Sequence, residues 1–298
     1  MKANSRNRCW TGVICISLIL VAGCANTLRE TPPHGNPNKA SAASAFRVAE
    51  ISNGANQAND LSETSRFFKS AKADFANWPK RFIEDSKDTF LRKDNFTALL
   101  LVGGASIAMH NSDADKKIAD HFEKHRALRK FTDQGLDTIG NPGTHFAVTG
   151  LWYAISAENQ DEFNKDRAWT MMTALAVTGL TTVGLKAIRD NDCPNGKSWA
   201  WPSGHTASSF TVASVLDEFY GPEVGIPAYA LASLVGWRMM DSGDHWASDV
   251  AFGAVLGWVV GHTIAGKHKD LEIAGFKVLP YTASNSGPVM GVNLVKQF

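Results

Sequence analysis

The segment 201–206, with the sequence WPSGHT, stands directly before an apolar stretch with helical periodicity. The first N–H groups of a helix have no partner inside the helix, and the helix dipole favours negative charge at that end. We therefore expect the N–H groups of Ser203, Gly204 and His205 to point outward and bind an oxyanion. Gly204 lets the anion approach the backbone, Ser203 adds a hydroxyl, and His205 is placed to protonate a leaving oxygen. The competing interpretation is a helix cap beside an incidental histidine.

A second group of chemically active side chains follows later in the chain: Arg238, Asp241, Asp244, His245 and Asp249. His245 and Asp249 are at positions i and i+4 where a helix begins, so their side chains share a face. A carboxylate on one ring nitrogen fixes the tautomer and leaves the other nitrogen free to attack. Arg238 would supply a forked donor to phosphate oxygens. Two alternatives stay open, a metal site built from His245, Asp249 and a nearby aspartate, or a helix cap with solvated acids.

A third element is Lys186, at the end of an apolar helical stretch, with Arg189 close behind it. A lysine at such a position can simply cap carbonyl groups or extend its ammonium into water. Lys186 therefore indicates a phosphate site only in combination with the two other groups.

Together these residues resemble the three-part signature of the type 2 phosphatidic acid phosphatase (PAP2) superfamily, which also includes bacterial acid phosphatases and vanadium haloperoxidases. The matching residues are Lys186, Pro194, Pro202-Ser203-Gly204-His205 and His245-x-x-x-Asp249, within residues 95–265. The resemblance implies an all-α, six-helix bundle. It also implies that His245 is the nucleophile and forms a phosphohistidine, that Asp249 orients it, and that His205 protonates the leaving group and later activates water. Lys186, Ser203, Gly204 and Arg238 would hold the phosphate, with no metal or other cofactor.

The sequence departs from this signature at two places. Cys193 stands where the superfamily has an arginine seven residues after its lysine, and Arg189 or Lys197 would have to substitute as the phosphate ligand. Arg238 lies seven positions before His245 where the superfamily has six, with Trp237 in place of a serine. A bulge at Gly243 would restore the position of Arg238.

The N-terminus has the order of a secretory signal: three basic residues precede an apolar run from Trp10 to Ala22. Val21-Ala22-Gly23-Cys24 resembles a bacterial lipobox, in which the cysteine becomes the lipidated first residue. We therefore predict a signal peptide over residues 1–23, lipidation at Cys24 and a flexible tether over residues 24–59. Ala25 favours the outer membrane, with the protein facing the periplasm. The alternatives are a simple signal peptide and an uncleaved anchor.

Charge and cysteine content limit the function classes. The net charge is +1, and there is no basic stripe, so the sequence gives no indication of nucleic-acid binding. Of four cysteines, two would leave with the signal and Cys24 would carry lipid. Cys193 would then have no partner for an intramolecular disulfide. The oligomeric state does not follow from these features.

The remaining chain divides into three predicted regions. Residues 60–93 predict two amphipathic helices broken at Pro79, which would lie on a membrane or pack on the core. Residues 94–268 form the predicted phosphatase domain, and residues 269–298 are a tail in which 276–283 and 289–298 predict a β-hairpin. Apolar helical segments are predicted at about 95–110, 143–157, 168–188, 205–219, 224–240 and 247–265, with a charged helix at about 114–130.

Several of these apolar segments are shorter than the roughly 20 residues that a membrane-spanning helix needs. We therefore favour a lipid-tethered helical bundle at the bacterial envelope, with an integral inner-membrane protein as the alternative. The predicted function is a phosphatase that hydrolyses phosphomonoesters or pyrophosphates, including those of lipids. Two other functions stay open: a degenerate lipoprotein that only binds phosphate, and a vanadate-dependent haloperoxidase.

Overall fold

The computed structural model describes residue 68 and residues 71–269, and it describes the backbone of residues 272–273, 276–283 and 289–295. All of these residues belong to one unit of the chain, Ala58–Phe298. The predicted signal peptide, the lipidation site Cys24 and the tether over residues 24–59 lie outside the described residues. So does most of the stretch between residues 60 and 70.

Helices account for most of the described residues. In chain order they are α1 (71–91), α2 (Lys93–Asn111), α3 (Ala114–Lys124), α4 (Lys130–Gly140), α5 (Pro142–Glu158), α6 (Glu162–Arg189), α7 (Gly204–Tyr220), α8 (Pro222–Asp241) and α9 (Ala247–His268). Each of the six predicted apolar segments is one of these helices, namely α2 and α5 to α9. The predicted all-α bundle is therefore confirmed.

The charged region at about 114–130 differs from the prediction, because it contains the starts of two helices rather than one. Helix α3 ends at Lys124, and α4 begins at Lys130. Between them, the N–H groups of Ala127 and Leu128 donate to the carboxylate of Asp241, over 2.8 and 3.1 Å. The carboxylate of Asp241 thus accepts N–H groups that would otherwise form the hydrogen bonds of a continuous helix.

Helix α1 also differs from the prediction, because it continues through Pro79. Proline removes one helical hydrogen bond. Trp78 and Phe82, on either side of it, lie with their ring centroids 5.1 Å apart and pack on two hydrophobic clusters of the bundle. Tertiary packing on both sides of Pro79 explains why the helix continues.

Helix α7 lies at the centre of the bundle, and its most extensive packing is with α9. Three glycines of α9, spaced one turn apart, allow this close approach. A Cβ atom on Gly253, Gly257 or Gly261 would lie 2.7, 2.2 or 2.7 Å from an atom of the segment 203–214. The two helices therefore bring their N-terminal ends side by side, with His205 on one and Asp249 on the other.

The largest hydrophobic cluster joins α6, α7 and α9. Its fully buried members include Leu175, Val177, Val215, Leu256, Val260 and Ile264. Burying an aliphatic side chain of this size contributes about 1.5–3 kcal/mol relative to leaving it in water. This cluster fixes the relative positions of the three helices that carry most of the predicted site residues.

Two helices, α6 and α9, are long and apolar enough to cross a membrane when judged on length and composition alone. About 61% of the apolar window of α9 is buried inside the bundle, against 39% of that of α6. The outward surface of α2, α5, α6 and α8 carries large apolar side chains, among them Leu101, Val148, Leu180 and Ile226. Apolar surface of this extent is unusual on a protein surrounded only by water.

The C-terminal region contains three antiparallel strands in the order β1 (Glu272–Ile273), β2 (Phe276–Ala283) and β3 (Val289–Val295). The register of β2 and β3 pairs Lys277 with Val295 and Ala283 with Val289. The hairpin predicted for residues 276–283 and 289–298 is therefore present, and its second strand ends at Val295.

Candidate active site

We call the predicted anion-binding segment Ser203-Gly204-His205 at the start of α7 the cradle. It is built around Ser203, which is fully buried. Its hydroxyl lies 2.9 Å from the hydroxyl of Thr206 and accepts the N–H of Thr206 over 3.4 Å. Its own N–H donates to the carbonyl oxygen of Asp249 over 3.1 Å. Ser203 is thus the N-cap of α7, and its N–H does not point outward as the sequence analysis expected. Gly204 and His205, the first residues of α7, precede the first intrahelical bond, from Ala207 N to Ser203 O.

His245 and Asp249 meet at the start of α9 as predicted. Nδ1 of His245 lies 3.5 Å from Oδ2 of Asp249, and both side chains are almost completely buried. The same Oδ2 accepts the N–H of Trp246 over 2.9 Å, which fixes the carboxylate. The Nδ1–Oδ2 contact is longer than an ordinary hydrogen bond, and such contacts in ligand-free sites commonly shorten in the substrate complex. Nε2 of His245 remains as the ring nitrogen available for attack.

His205 lies close to this pair, and its Nε2 is 3.5 Å from Oδ1 of Asp137, a residue of α4. Burial lowers the pKa of His205 to about 4. The negative charge of Asp137 acts in the opposite direction, and the positive charges of His245 and Arg238 lower the pKa further. His205 is therefore close enough to His245 and Arg238 for their charges to act on its ring.

Arg238 is brought to the site, but its N–H groups face carboxylates. Nε lies 2.9 Å from Asp133 Oδ1, and Nη1 lies 2.9 Å from both Asp137 Oδ1 and Asp244 Oδ2. The predicted bulge is also present, because Gly243 has φ 70°, a conformation that glycine adopts without strain. The bulge places Arg238 near His205, as expected, but within a network of three acids rather than open to an anion.

Asp244 belongs to the same network, and its acidity reflects its partners. Burial raises the pKa of this carboxyl, but hydrogen bonds from Lys197 and Ser242 and the nearby charges of Lys197 and Arg238 outweigh burial and lower the pKa to about 2. The ammonium of Lys197 lies 2.9 Å from Asp244 Oδ1 and is largely exposed. Lys197, one of the two proposed substitutes for the missing arginine, is therefore paired with an acid.

Lys186 supports the loop that leads into the cradle. Its ammonium donates to the carbonyl oxygens of Trp199 and Ala200, the latter over 3.2 Å. The same loop is tied back by Asn191, whose carbonyl and side-chain oxygens accept the N–H groups of Ala200 and Trp201. Lys186 lies near Asp249 and Cys193, since its charge acts on the thiol together with that of Asp249.

Cys193 is buried, with 7% of its surface exposed, and it lies close enough to Lys186 and Asp249 for their charges to act on its thiol. Burial and the carboxylate of Asp249 raise the pKa of its thiol to about 11, while Lys186 and Lys197 act in the opposite direction. The thiol is therefore neutral at physiological pH. A neutral, weak donor occupies the position for which the superfamily signature has a cation.

Arg189, the second proposed substitute, is oriented differently from Lys197. Its guanidinium carbon lies 5.1 Å from the ring centroid of Trp201, immediately before the cradle. Its Nη1 is buried and has no hydrogen-bond partner among the described residues. A buried, unsatisfied cationic donor beside a phosphate cradle suits an incoming anion.

Sequence reasoning missed several residues that the fold brings to the site. Asp133 and Asp137 lie one turn apart on α4, a helix that the sequence analysis did not predict. Asp115 of α3 is buried and accepts the N–H and hydroxyl of Ser248 in the first turn of α9. A carboxylate at this end of a helix stabilises its dipole. No local pattern marks these acids as site residues, because Asp133 and Asp137 reach Arg238, and Asp115 reaches Ser248, across more than 100 positions of sequence.

A metal site would need several donor side chains that converge on one point. Within residues 71–269, no group of three or more histidine, cysteine or acidic side chains is arranged to hold a metal ion. Asp241, one of the nearby aspartates considered, binds Ala127, Leu128 and Arg126 instead.

Comparison with known proteins agrees with this geometry. Residues 187–271 match the family model described as the PAP2 superfamily. Over 65 residues the chain is 40% identical to a lipid A 1-phosphatase of Porphyromonas gingivalis, and this match covers 21% of the chain and only 15% of that relative.

One solved structure shares the helical fold, and a second gives a weaker superposition. A transmembrane PAP2-type phosphatidylglycerolphosphate phosphatase of Bacillus subtilis superposes with a TM-score of 0.51 at 19% identity, covering 58% of this chain and 94% of that chain. Aquifex aeolicus LpxE superposes with a TM-score of 0.42 at 21% identity, covering 50% of this chain and 93% of that chain. His205, Arg238, His245 and Asp249 all lie in the segment 187–271, and it is this segment that resembles the PAP2 superfamily.

Proposed function

We propose that this protein is a phosphatase that cleaves phosphomonoesters or pyrophosphates, with lipid phosphates as its main substrates, through a phosphohistidine. The observation that carries the proposal is the meeting of two histidines at adjacent helix N-termini, with the buried carboxylate of Asp249 on Nδ1 of His245. The similarity to a lipid A 1-phosphatase and to a phosphatidylglycerolphosphate phosphatase supports the choice of lipid phosphates.

In the proposed first step, Nε2 of His245 attacks phosphorus and the bond from phosphorus to the leaving oxygen breaks. Protonated His205 gives its proton to that oxygen, so the leaving group departs as an alcohol or a protonated phosphate. Asp249 stabilises the positive charge that develops on the His245 ring. The N–H groups at the start of α7 and the charge of Arg189 stabilise the phosphoryl oxygens.

In the second step, neutral His205 takes a proton from water, and the water oxygen attacks the phosphohistidine. The bond between Nε2 and phosphorus breaks, inorganic phosphate leaves, and His245 returns to its neutral form. We propose that these fixed donors replace a metal ion in stabilising the transition state. Undiminished phosphate release after treatment with EDTA would support this; loss of activity that Mg²⁺ or Zn²⁺ restores would contradict it.

The decisive experiment compares His245→Ala with His262→Ala in the purified protein. His262 lies near the C-terminal end of α9, the opposite end from the site, and pairs with Glu218. Phosphate release from an aryl phosphate and from phosphatidic acid in mixed micelles should disappear in H245A and persist in H262A. Reactions with ³²P-labelled substrate, stopped in denaturant at alkaline pH because the N–P bond of phosphohistidine is labile in acid, should leave labelled wild-type protein and unlabelled H245A. Full activity of H245A would rule out the mechanism.

A degenerate, phosphate-binding protein is the second candidate, and Cys193 is the observation that favours it. The site lacks the cation that the superfamily signature has at this position. In that case the wild type would release no phosphate from a broad panel of esters, yet it would still bind inorganic phosphate in calorimetry.

We propose that the protein is associated with the bacterial envelope, and two modes of association are distinguishable. Lipidation at Cys24 would tether the bundle to the outer membrane, facing the periplasm. Alternatively, the apolar surface of α2, α5, α6 and α8 would contact lipid directly, with α6 and α9 long enough to span. Cys24→Ala should become extractable by alkaline carbonate in the first case and stay in the membrane fraction in the second.

A further inference from the structure

Asp137 of α4 stands between two cationic groups of the site. Its Oδ1 lies 3.5 Å from Nε2 of His205 and 2.9 Å from Nη1 of Arg238. The side chain of Asp137 is 44% exposed, whereas those of His205 and Arg238 are 25% and 9% exposed. The carboxylate therefore lies at the mouth of the site, and the two groups that it contacts lie deeper.

The position of this carboxylate is fixed by the buried guanidinium rather than by α4 alone. Arg238 also holds Asp133 through Nε and Asp244 through Nη1. Asp133 and Asp137 are separated by one helical turn, so one arginine binds the same face of α4 twice. A planar, always-charged guanidinium with several fixed donors is suited to this role.

We propose that Asp137 is a positioning residue for the reaction, and that it orients the His205 ring and stabilises its protonated form. In this arrangement Arg238 fixes Asp137 rather than serving mainly as a phosphate ligand. The inference rests on the proposed function, in which protonated His205 delivers the proton to the leaving oxygen. Each histidine of the site then has its own carboxylate, Asp249 for His245 and Asp137 for His205.

The charges around His205 make such a carboxylate necessary. The groups that face it are Asp137 from α4, His145 from α5, Arg238 from α8, and Asp244 and His245 from the turn between α8 and α9. Burial, Arg238 and His245 all disfavour the imidazolium, and Asp137 is the acid that contacts the ring directly. Without it, His205 would lose its proton at a lower pH and would be held less firmly.

The test compares Asp137→Asn with Asp133→Asn. Asp133 is the matched control, because it lies on the same face of α4 and binds Arg238 Nε at the same distance of 2.9 Å.

Two substrates are used, an aryl phosphate whose leaving group needs no proton and an alkyl phosphate whose leaving group does. D137N should lower kcat on the alkyl phosphate by about 10–100-fold and on the aryl phosphate by less than about threefold. It should also move the basic limb of the kcat/KM profile to lower pH.

D133N should lower activity on both substrates equally and leave the pH profile in place. Equal losses and unchanged pH limbs in both variants would overturn the proposal and assign Asp137 a purely structural role. If the wild type releases no phosphate, the proposed function fails, but the ¹⁵N-NMR titration of His205 still decides this inference. The His205 pKa must then fall in D137N and not in D133N. Asp137→Ser replaces D137N if thermal unfolding shows that D137N is not folded.

Discussion

The backbone N–H of Ser203 donates to the carbonyl oxygen of Asp249 over 3.1 Å. This bond joins the N-cap of α7 to the first turn of α9, and both side chains are fully buried. Gly253, one turn after Asp249, has no side chain and thereby leaves room for the Ser203 carbonyl. The cradle and the carboxylate behind the proposed nucleophile therefore cannot move independently of each other.

The carboxylate of Asp249 should be necessary for activity and not only for folding. Asp249→Asn keeps the size of the side chain but removes the charge that holds the His245 tautomer and stabilises its charged form. We expect kcat to fall by roughly 10³-fold with a smaller change in KM. Steady-state kinetics with an aryl phosphate measures both. The exposed Asp120 of α3 provides a control, Asp120→Asn, which should retain wild-type rates. A loss of less than about threefold in D249N would contradict the assigned role.

Arg189, rather than Lys197, should compensate for the missing arginine. Arg189 has a buried, unsatisfied donor beside Trp201, whereas Lys197 is exposed and paired with Asp244. Removing one donor to the transition state costs about 2–4 kcal/mol, so Arg189→Ala should lower kcat/KM by roughly 30–1000-fold. Lys197→Ala should lower it by less than about fivefold. Cys193→Arg in the R189A background should recover part of the loss. Equal effects of R189A and K197A would disprove the distinction.

The thiol of Cys193 should make stability depend on alkaline pH. Burial and the carboxylate of Asp249 raise its pKa from an ordinary 9.0 to about 11. Below pH 9 the thiol is neutral in both the folded and the unfolded state. Between pH 9 and about 11 it ionises in the unfolded state only, so the free energy of unfolding falls over this range. Midpoints of denaturant unfolding in detergent should therefore fall more steeply for the wild type than for Cys193→Ser. Parallel curves for the two proteins over that range would contradict the prediction.

The contact between α7 and α9 should tolerate no side chain at Gly257. A Cβ atom there would lie 2.2 Å from the carbonyl oxygen of Ala207. Gly257→Ala should therefore separate the helices and lower the free energy of unfolding by about 3 kcal/mol. Gly184 of α6 has no atom within 4 Å of a built Cβ. Gly184→Ala should leave stability unchanged or raise it by up to about 1 kcal/mol. Thermal unfolding in detergent compares the two, and equal melting temperatures would refute the packing argument.

The amino-acid sequence by itself determined the helical class of the fold and the residues that are candidates for the reaction centre. The apolar periodicity of six segments identified six helices, because each buries one face or more against the others. Pro202-Ser203-Gly204-His205 and His245-x-x-x-Asp249 identified the catalytic candidates, because helix starts and i, i+4 pairs are local features. Cys193 was recognised as a departure, and the pattern indicated that Gly243 would have to form a bulge.

Tertiary structure alone decided how the charged groups are paired. The sequence predicted Arg238 as a phosphate ligand and Arg189 or Lys197 as the substitute for the missing arginine. The fold instead surrounds Arg238 with three acids, pairs Lys197 with Asp244 and leaves one donor of Arg189 unpaired. The helix that supplies two of those acids, α4, begins only after Asp241 has taken the preceding N–H groups. The pairings of Arg238 with Asp133 and Asp137, and of Asp241 with the N–H groups before α4, join residues more than 100 positions apart. Because packing brings these residues together, no local sequence pattern could predict the pairings.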